Sequence, residues 1–427
     1  MSNPIFIARQ DTLEQEILPA HWLAQYKLFG EESYTFQDKG IWKKLCMSSA
    51  AANDRDMHAE ALEEMLTTFS AEHTGKWMLL VYGTNAAALE GLATMAAIAA
   101  NGTAMGAVVD NALLMHAIAN SETAMQRIAN SQTAMQRVAN NRGAMDAIGR
   151  SRIARDAVQA SPYYNSCIKE NDMAIAKLAV ALANLESAGY SGMAGVAADS
   201  TAMTAVAASA TAMTAVAASS VARNAISASP YYDEKIKEND MAIAKLVVGF
   251  ANLESARYSG CAGMAADSTA MTAVAASSTA MTAVAASGVA LKAIAQAYKN
   301  TANMLQFLKA VNASDTLVKR IYSTLTGATG LFGATQLGAQ DGVADANSWA
   351  TTSAAPNAFL ACACGYYNSG GASVDVTYNG TAIAQNKTGT RQPNSVTSTN
   401  VNAITMAPST FTENGDGWLA VQKFTVK

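Results

Sequence analysis

The stretch STAMTAVAAS occupies residues 278–287, and variants of this block of ten recur from about residue 84 to 296. A repeat this short constrains the fold more than any single residue does. Met95, Met105, Met115, Met125, Met135 and Met145 mark the blocks of a first array, and Met203, Met213, Met271 and Met281 mark later ones. Three residues after each methionine stands Val or Ile, from Ile98 and Val108 to Val274 and Val284. The spacing persists where methionine is replaced, at Arg155 with Val158, Arg223 with Ile226 and Leu291 with Ile294. On one straight helix ten residues turn through roughly 1000°, so the apolar stripe would slip about 80° per block and no face would stay buried. On a strand, a spacing of three puts the two large residues on opposite faces. What remains is one short helix per block, then a corner.

The other letters fit that solution. Ser or Asn opens most blocks (Asn101, Asn111, Ser121, Asn141, Ser209, Ser277) and is a good N-cap, with alanine, methionine and valine filling about two turns behind it. Ala124, Met125 and Ile128 show the face that results. Burying two large apolar side chains yields about 1.5–3 kcal/mol each, whereas ordering ten residues costs about 1–2 kcal/mol apiece. A block therefore cannot fold alone. Neighbours must share a core, alanine lets their backbones approach, and the expected architecture is an α-solenoid or bundle of small units. A methionine row can also line a promiscuous groove, but core packing is the plainer reading.

A longer repeat overlies the short one. Residues 161–228 return at 229–296 with 53 of 68 positions identical. Each copy opens on a segment unlike the decads, SPYYNSCIKENDMAIAKL in the first. Ser161 and Pro162 read as N-cap and first-turn proline, and Asn171 or Asp172 as the cap of a helix to about residue 188. Ile175, Leu178, Leu182 and Leu185 form its apolar stripe, and Gly192 and Gly260, present in both copies, are the predicted residues after the helix ends.

Six segments follow: a non-repetitive N-terminal domain (1–83), a decad array (84–160), two copies of helix pair plus decads (161–228 and 229–296), a helical connector (297–340) and a C-terminal region (341–427). The first holds Trp22, Trp42, Trp77, His21, His58 and His73. In it, DRDMHAEALEEMLTTFSAEH predicts a helix from Asp54 and KWMLLVYG a short buried strand. Adjacent acids such as Glu63 and Glu64 read as a solvated helix face. Gly327, Gly330 and Gly333 suggest a hinge, or close packing of chains. After residue 341 the composition turns to Asn, Thr, Ser, Gly and Val, and Asn379-Gly380 signals a type I′ hairpin with Tyr378 opposite Thr381 and Val376 opposite Ile383. With AFLACACGYY and DGWLAVQKFTV as further strands, the expectation is an antiparallel β-sandwich.

A net charge of −4 and a pI near 5.7 provide no basic field, so nucleic acid is not an expected partner. Charged residues are only 15%, which suits a chain held in an assembly. The five cysteines (Cys46, Cys167, Cys261, Cys362, Cys364) follow no disulfide or zinc spacing, and Cys362 and Cys364 read as small buried hydrophobes on a strand. No run of eighteen apolar residues and no classical leader is present, so cytoplasmic synthesis without membrane insertion is expected. No GxGxxG, P-loop, HExxH, CxxC or GxSxG pattern occurs, so no cofactor, metal or catalytic residue is predicted. His116 falls in a variable decad slot expected to be exposed. Asp341, Asp345 and Asn347 could share a calcium ion, though a polar linker holds such residues by chance. Tyr366, Tyr367 and Trp418 could stack on a receptor sugar or a partner, with core packing the commoner role of such rings.

Blocks such as SETAMQRIAN, SQTAMQRVAN and STAMTAVAAS resemble decapeptide arrays in structural proteins of tailed bacteriophages, often tail fibres or other virion appendages. The segment ASVDVTYNGTAI is similar to small β-sandwich modules of phage and bacterial surface proteins. The resemblance implies a non-enzymatic virion component made in the host cytoplasm, a homo-oligomer with a trimer favoured. Its N-terminal domain would dock to other virion proteins and its C-terminal domain would contact a host-surface receptor or a neighbouring virion protein. Two other classes compete: a spike enzyme degrading polysaccharide, which calls for carboxylates paired across a cleft, and a cellular α-solenoid scaffold, which calls for variable charged residues along one face.

Overall fold

A computed structural model describes residues 55–67, isolated positions between 74 and 89, residues 91–341 and most of 348–427. The readings made of residues 1–54, and of His73 and Trp77, fall outside the described residues. The chain is mainly helical with a C-terminal antiparallel sheet region, and it divides into two compact units, Met1–Ala205 and Val206–Lys427.

In the first unit, α1 (Arg55–Thr67) precedes seven decad helices: α2 (Met95–Ala100), α3 (Gly102–Asp110), α4 (Ala112–Ala119), α5 (Glu122–Ala129), α6 (Gln132–Ala139), α7 (Arg142–Arg150) and α8 (Arg152–Ala160). Each block is one helix of about two turns, and a corner of 101° separates α3 from α4. One extended residue makes that corner. Asn111, at φ −98° and ψ 105°, is both the last cap of α3 and the N-cap of α4, accepting from the Leu114 N–H. The predicted caps Asn101, Ser121 and Asn141 serve in the same way. Met105, Met115, Met125, Met135 and Met145 are at most 1% exposed, and their partners Val108, Ile118, Ile128, Val138 and Ile148 are fully buried.

Each helix lies against the third one along: α2 against α5, α3 against α6, α4 against α7, α5 against α8. The N-cap serines tie these layers together. Ser131 Oγ accepts from the Ala134 N–H of its own helix and donates to the Ala99 carbonyl, 32 residues back, at 2.7 Å. Ser151 does the same between Ala154 and Ala119 (2.6 Å), and Ser161 Oγ donates to the Ala129 carbonyl (2.5 Å). Ser151 and Ser161 are buried and Ser131 partly so, and each side chain satisfies a donor at one helix start and a carbonyl at another helix end.

The predicted strand at 76–83 is corrected: Thr74, Met78 and Tyr82 are helical. Their spacing of four, all three buried, is that of one helix face. His58 of α1 packs against the Tyr82 ring, with centroids 5.5 Å apart. Leu62, Met78 and Tyr82 share one core with the decads.

The non-decad segment opens as a π-helical turn, π1 (Tyr164–Ile168), followed by α9 (Asp172–Leu182), which Asn171 caps. α9 ends at 182, not near 188, because Asn184 adopts φ 59° and the N–H groups of Asn184 and Leu185 bond back to the Ala181 and Val180 carbonyls. The predicted role of Gly192 is corrected too. It is extended and starts α10 (Met193–Ala197), where a Cβ would sit 2.1 Å from the Asp172 carboxylate that accepts from the Met193 N–H. The second copy repeats this with Asn252 at φ 57°, and Gly260 set against Asp240.

α11 (Ser200–Ala208) spans the division between the two units at Ala205. The second contains α12 (Ala210–Ala218), α13 (Ser220–Ser227), π2 (Asp233–Lys237), α14 (Asp240–Phe250), α15 (Cys261–Ala266), α16 (Ser268–Ala276), α17 (Ser278–Ala286), α18 (Gly288–Gln296), α19 (Thr301–Asn312) and α20 (Asp315–Gly327). The same stacking holds: α14 on α17, α15 on α18, α16 on α19, α17 on α20.

Nine strands follow: β1 (Phe332–Asp341), β2 (Ser348–Ala350), β3 (Phe359–Tyr366), β4 (Ser373–Tyr378), β5 (Thr381–Thr388), β6 (Thr390–Arg391), β7 (Ala403–Met406), β8 (Ser409–Asn414) and β9 (Gly417–Val426). They form two sheets, β1-β9-β3-β6 with β7 also on β3, and β2-β8-β4-β5. Sheet begins at 332 and not 341, because Phe332–Asp341 pairs along β9 over its whole length. Gly333 thus lies in a strand and Gly327 in a helix. Asn379 and Gly380 turn at φ 47° and 74°, as the hairpin signal requires, and Tyr378 faces Thr381. Val376 faces Ala384, however. A bulge inserts Ile383, so that Ile383 and Ala384 are both buried.

Both sheets and α19 and α20 share one core. Phe359 of β3 lies 6.4 Å from Phe307 of α19, and Phe424 of β9 lies 5.6 Å edge-on from Tyr322 of α20, ring centre to ring centre. Buried Asn312, at the end of α19, donates to the Ile404 carbonyl (2.8 Å) and accepts from its N–H (3.0 Å). Cys362 and Cys364 are fully buried.

Candidate functional surfaces

The three aromatics singled out as contact residues separate in the structure. Tyr366 closes β3 opposite Gly417 of β9, and the adjacent pair is Gly365 with Trp418, so positions 366 and 418 fall in successive pairs at one end of neighbouring strands. Tyr367 lies outside the described residues. Of the calcium candidates, Asp341 ends β1 beside Trp418, while Asp345 and Asn347 are outside the described residues. Among the described residues no three His, Cys, Asp or Glu side chains are grouped to hold a metal ion. His116 is half-buried rather than exposed, lying beside Asn120. Glu63 is not a solvated face: its carboxylate accepts from the Ser121 hydroxyl and from the Thr123 N–H (3.1 Å) and hydroxyl, fixing α1 to the start of α5.

The densest polar chemistry lies where each long repeat meets the decads before it. Lys177 of α9 is fully buried, and its ammonium donates to the Asp146 carboxylate of α7 and to the Ser187 carbonyl (3.0 Å). Ser187 also donates to Asp146 (3.2 Å). The same lysine returns 68 residues later. Lys245 of α14 is 2% exposed and donates to Thr214 Oγ1 (2.9 Å) of α12 and to the carbonyls of Ser255 (2.9 Å) and Ala256 (3.3 Å). Thr214 stands at the second junction where Asp146 stands at the first, so among the described residues Lys177 has a counter-charge where Lys245 has a hydroxyl. Burial holds the Lys245 ammonium below the ordinary lysine pKa.

A second pair recurs beside the lysines. Tyr190 donates to Asp199 at 2.8 Å, and Tyr258 to Asp267 at 2.9 Å. Each aspartate also caps a decad helix, Asp199 accepting from the Thr201 and Ala202 N–H groups and Asp267 from those of Thr269 and Ala270. The tyrosine hydroxyl, then the backbone donors, hold the Asp199 carboxyl below its usual value. For Asp267 the Ala270 N–H acts first and Tyr258 next. Desolvation and then Asp199 push the Tyr190 hydroxyl up to about 12. Every strong donor and acceptor here bonds within the chain, and the constellation locks loops onto helices.

Two clefts remain. One of about 810 Å3 in the second unit is walled by π2, α20 and the loop 327–331. Two carboxylates line it, yet both oxygens of Glu238 accept from the first N–H groups of α18 (3.0 and 3.1 Å), and Asp233 pairs with Lys237 at 3.3 Å. Neither is placed for acid-base work. The other, about 380 Å3, lies between α3 and α6 and is lined by Gly102, Gly106, Asp110 and Arg137.

No family model matches the chain, and no curated protein is significantly similar to it. The lysine braces escape sequence reasoning because a lysine inside AIAKLA reads as a polar interruption of the stripe. Its recurrence after 68 residues, beside invariant Ser and Tyr, is the signal that marks it.

Proposed function

We propose that the protein is a non-enzymatic structural component of a tailed-phage virion appendage, a rigid spacer with contacts made at its ends. The helices are read as an α-solenoid and the two sheets as a β-sandwich that closes its last turn. The observation that carries this reading is the serine ladder of the first unit: the hydroxyls of Ser131, Ser151 and Ser161 bridge helices 32 residues apart and tie each of these blocks to the block one cycle below. A chain so braced resists bending along the stack, which a spacer needs and a catalyst does not. The likeness of the decads to phage appendage arrays supports the setting, with other virion proteins docking at the N-terminal domain and homo-oligomers, trimers in preference, as the working form. The strand ends bearing Tyr366 and Trp418 supply a contact face for a host receptor or a neighbouring virion protein.

The test is immunogold electron microscopy of particles from cells making the protein. Labelling of a fibre, baseplate or collar is expected. Intact particles that carry none of the protein would refute the assignment.

A further inference from the structure

We infer that the 68-residue repeat is a length-setting cassette, two complete cycles of the helical stack, so that whole copies can be removed or added without disturbing either end. The inference rests on the spacer reading. Each copy contributes six helical segments, π1 and α9 to α13 in the first, and stacking on the third segment along is seen from each of α2 to α7 in the first unit and from α12 and α14 to α17 in the second. Six segments are two cycles of three. The residue after a copy therefore meets the same layer as the residue after the previous one.

The two junctions show this directly, each inside its own unit. In the first, Asn171 donates to Asn140 (2.9 Å), Lys177 bonds Asp146, and Arg155 donates to the Gly149 carbonyl (2.5 Å). In the second, at positions shifted by 68, Lys245 bonds Thr214 (2.9 Å) and Arg223 donates to the Ala217 carbonyl (2.6 Å), while Asn239 donates to the Ala207 carbonyl (3.2 Å), one residue before the equivalent of Asn140. The equivalence thus extends upstream of the copies into the decads that receive them.

The closest helix crossing reveals a compensated exchange. At the first junction the small residue is Gly149 of α7, where a Cβ would lie 3.2 Å from Ala181 Cβ of α9. At the second, the positions hold Ala217 and Gly249, and a Cβ on Gly249 would lie 2.3 Å from the Ala217 carbonyl oxygen. One glycine per crossing is kept, on opposite partners. Where the copies differ otherwise, five changes fall in the last decad, which in the second copy faces the C-terminal elements. Gly288 replaces Ser220 where a Cβ would crowd Ala328 and Leu331 at 3.0 Å, and Lys292 replaces Asn224 and donates to the Lys427 carbonyl (2.9 Å). The cassette body is retained while its final face is fitted to its neighbour.

The test uses three variants of the full chain: deletion of 161–228, insertion of a second 229–296 after residue 296, and deletion of the single decad 209–218. Stacked helices lie about 8–10 Å apart, so two cycles span about 16–20 Å. The first two variants are expected to melt cooperatively, with the maximum dimension from small-angle scattering shortened or lengthened by about that amount. The single-decad deletion rotates all later helices by a third of a cycle and is expected to lose cooperative melting. Unfolding of the in-register variants, an unchanged dimension, or equal tolerance of all three deletions and insertions overturns the inference. Scattering on the purified chain needs no particle, so these results stand apart from whether the protein labels a virion.

Discussion

Replacing Asp146 by Thr installs at the first junction the arrangement that the second already tolerates. Lys177 keeps its bond to the Ser187 carbonyl and gains a hydroxyl partner like Thr214, so no rearrangement is required. Breaking a buried ion pair outright costs about 3–5 kcal/mol, and the new hydroxyl bond to the charged ammonium returns about 1.5–3, which leaves a loss of about 1–2 kcal/mol. The aspartate side chain is only 15% exposed, so relief of its own desolvation offsets part of the loss and favours the lower end of that range. Two units make a single global unfolding free energy ill-defined, so the readout is native-state hydrogen exchange. Amides of α9 are expected to exchange about 5–30 times faster in the variant, with α14 as an unaltered control. Unchanged exchange in α9, or an equal change in α14, would refute the view that the ion pair braces this junction.

The reciprocal change, Thr214→Asp, addresses pH. The folded state holds the Lys245 pKa below its ordinary value, so in the window between the two the unfolded chain binds more protons and the protection of α14 rises with pH. Thr214→Asp is expected to flatten that rise, as exchange measured across the window will show. On the acid side, Asp199 and Asp267 have lowered folded pKa values, so the stability they contribute is present at neutral pH and disappears as pH falls below the ordinary aspartate range; Tyr190→Phe and Tyr258→Phe should weaken this dependence in thermal melts. Gly192→Ala pushes the Asp172 carboxylate off the Met193 N–H and is expected to cost about 0.5–2 kcal/mol, a capping loss. Combining it with Asp172→Ala should add almost nothing to Asp172→Ala alone, whereas full additivity would show the two to be independent. The isolated fragment 341–427 lacks β1 and so leaves β9 half-paired; circular dichroism should find it unfolded, and a fragment beginning at 297 folded.

The Met-to-Val spacing suffices to predict one helix per block, because helix and strand periods both exclude any longer element. What it does not contain is the second job of the N-cap serine. A cap satisfied locally and a cap that also bridges to Ala99 or Ala119 are spelled alike. The end of α9 escapes for a similar reason: Asn184 and Gly192 are both eligible for a helix stop, and the left-handed residue proves to be the asparagine, whereas the glycine answers a steric demand from Asp172, 20 residues away. Hairpin position follows from Asn379-Gly380, but the bulge at Ile383 depends on filling a core that local letters do not describe. At the proposed contact ends, the strand register pairs 366 with 417 and 365 with 418, a long-range arrangement that aromatic composition alone leaves open.

Asn312 carries a consequence for solubility. Among the described strands β7 pairs with β3 alone, so its outer rim would present open amide and carbonyl groups to any passing chain. The carboxamide of Asn312 occupies both polar groups of Ile404 as a neighbouring strand would, plugging the rim with a helix terminus. Asn312→Leu unplugs it, and the resulting chain should seed fibrillar aggregates, detectable by thioflavin fluorescence, that the parent does not form.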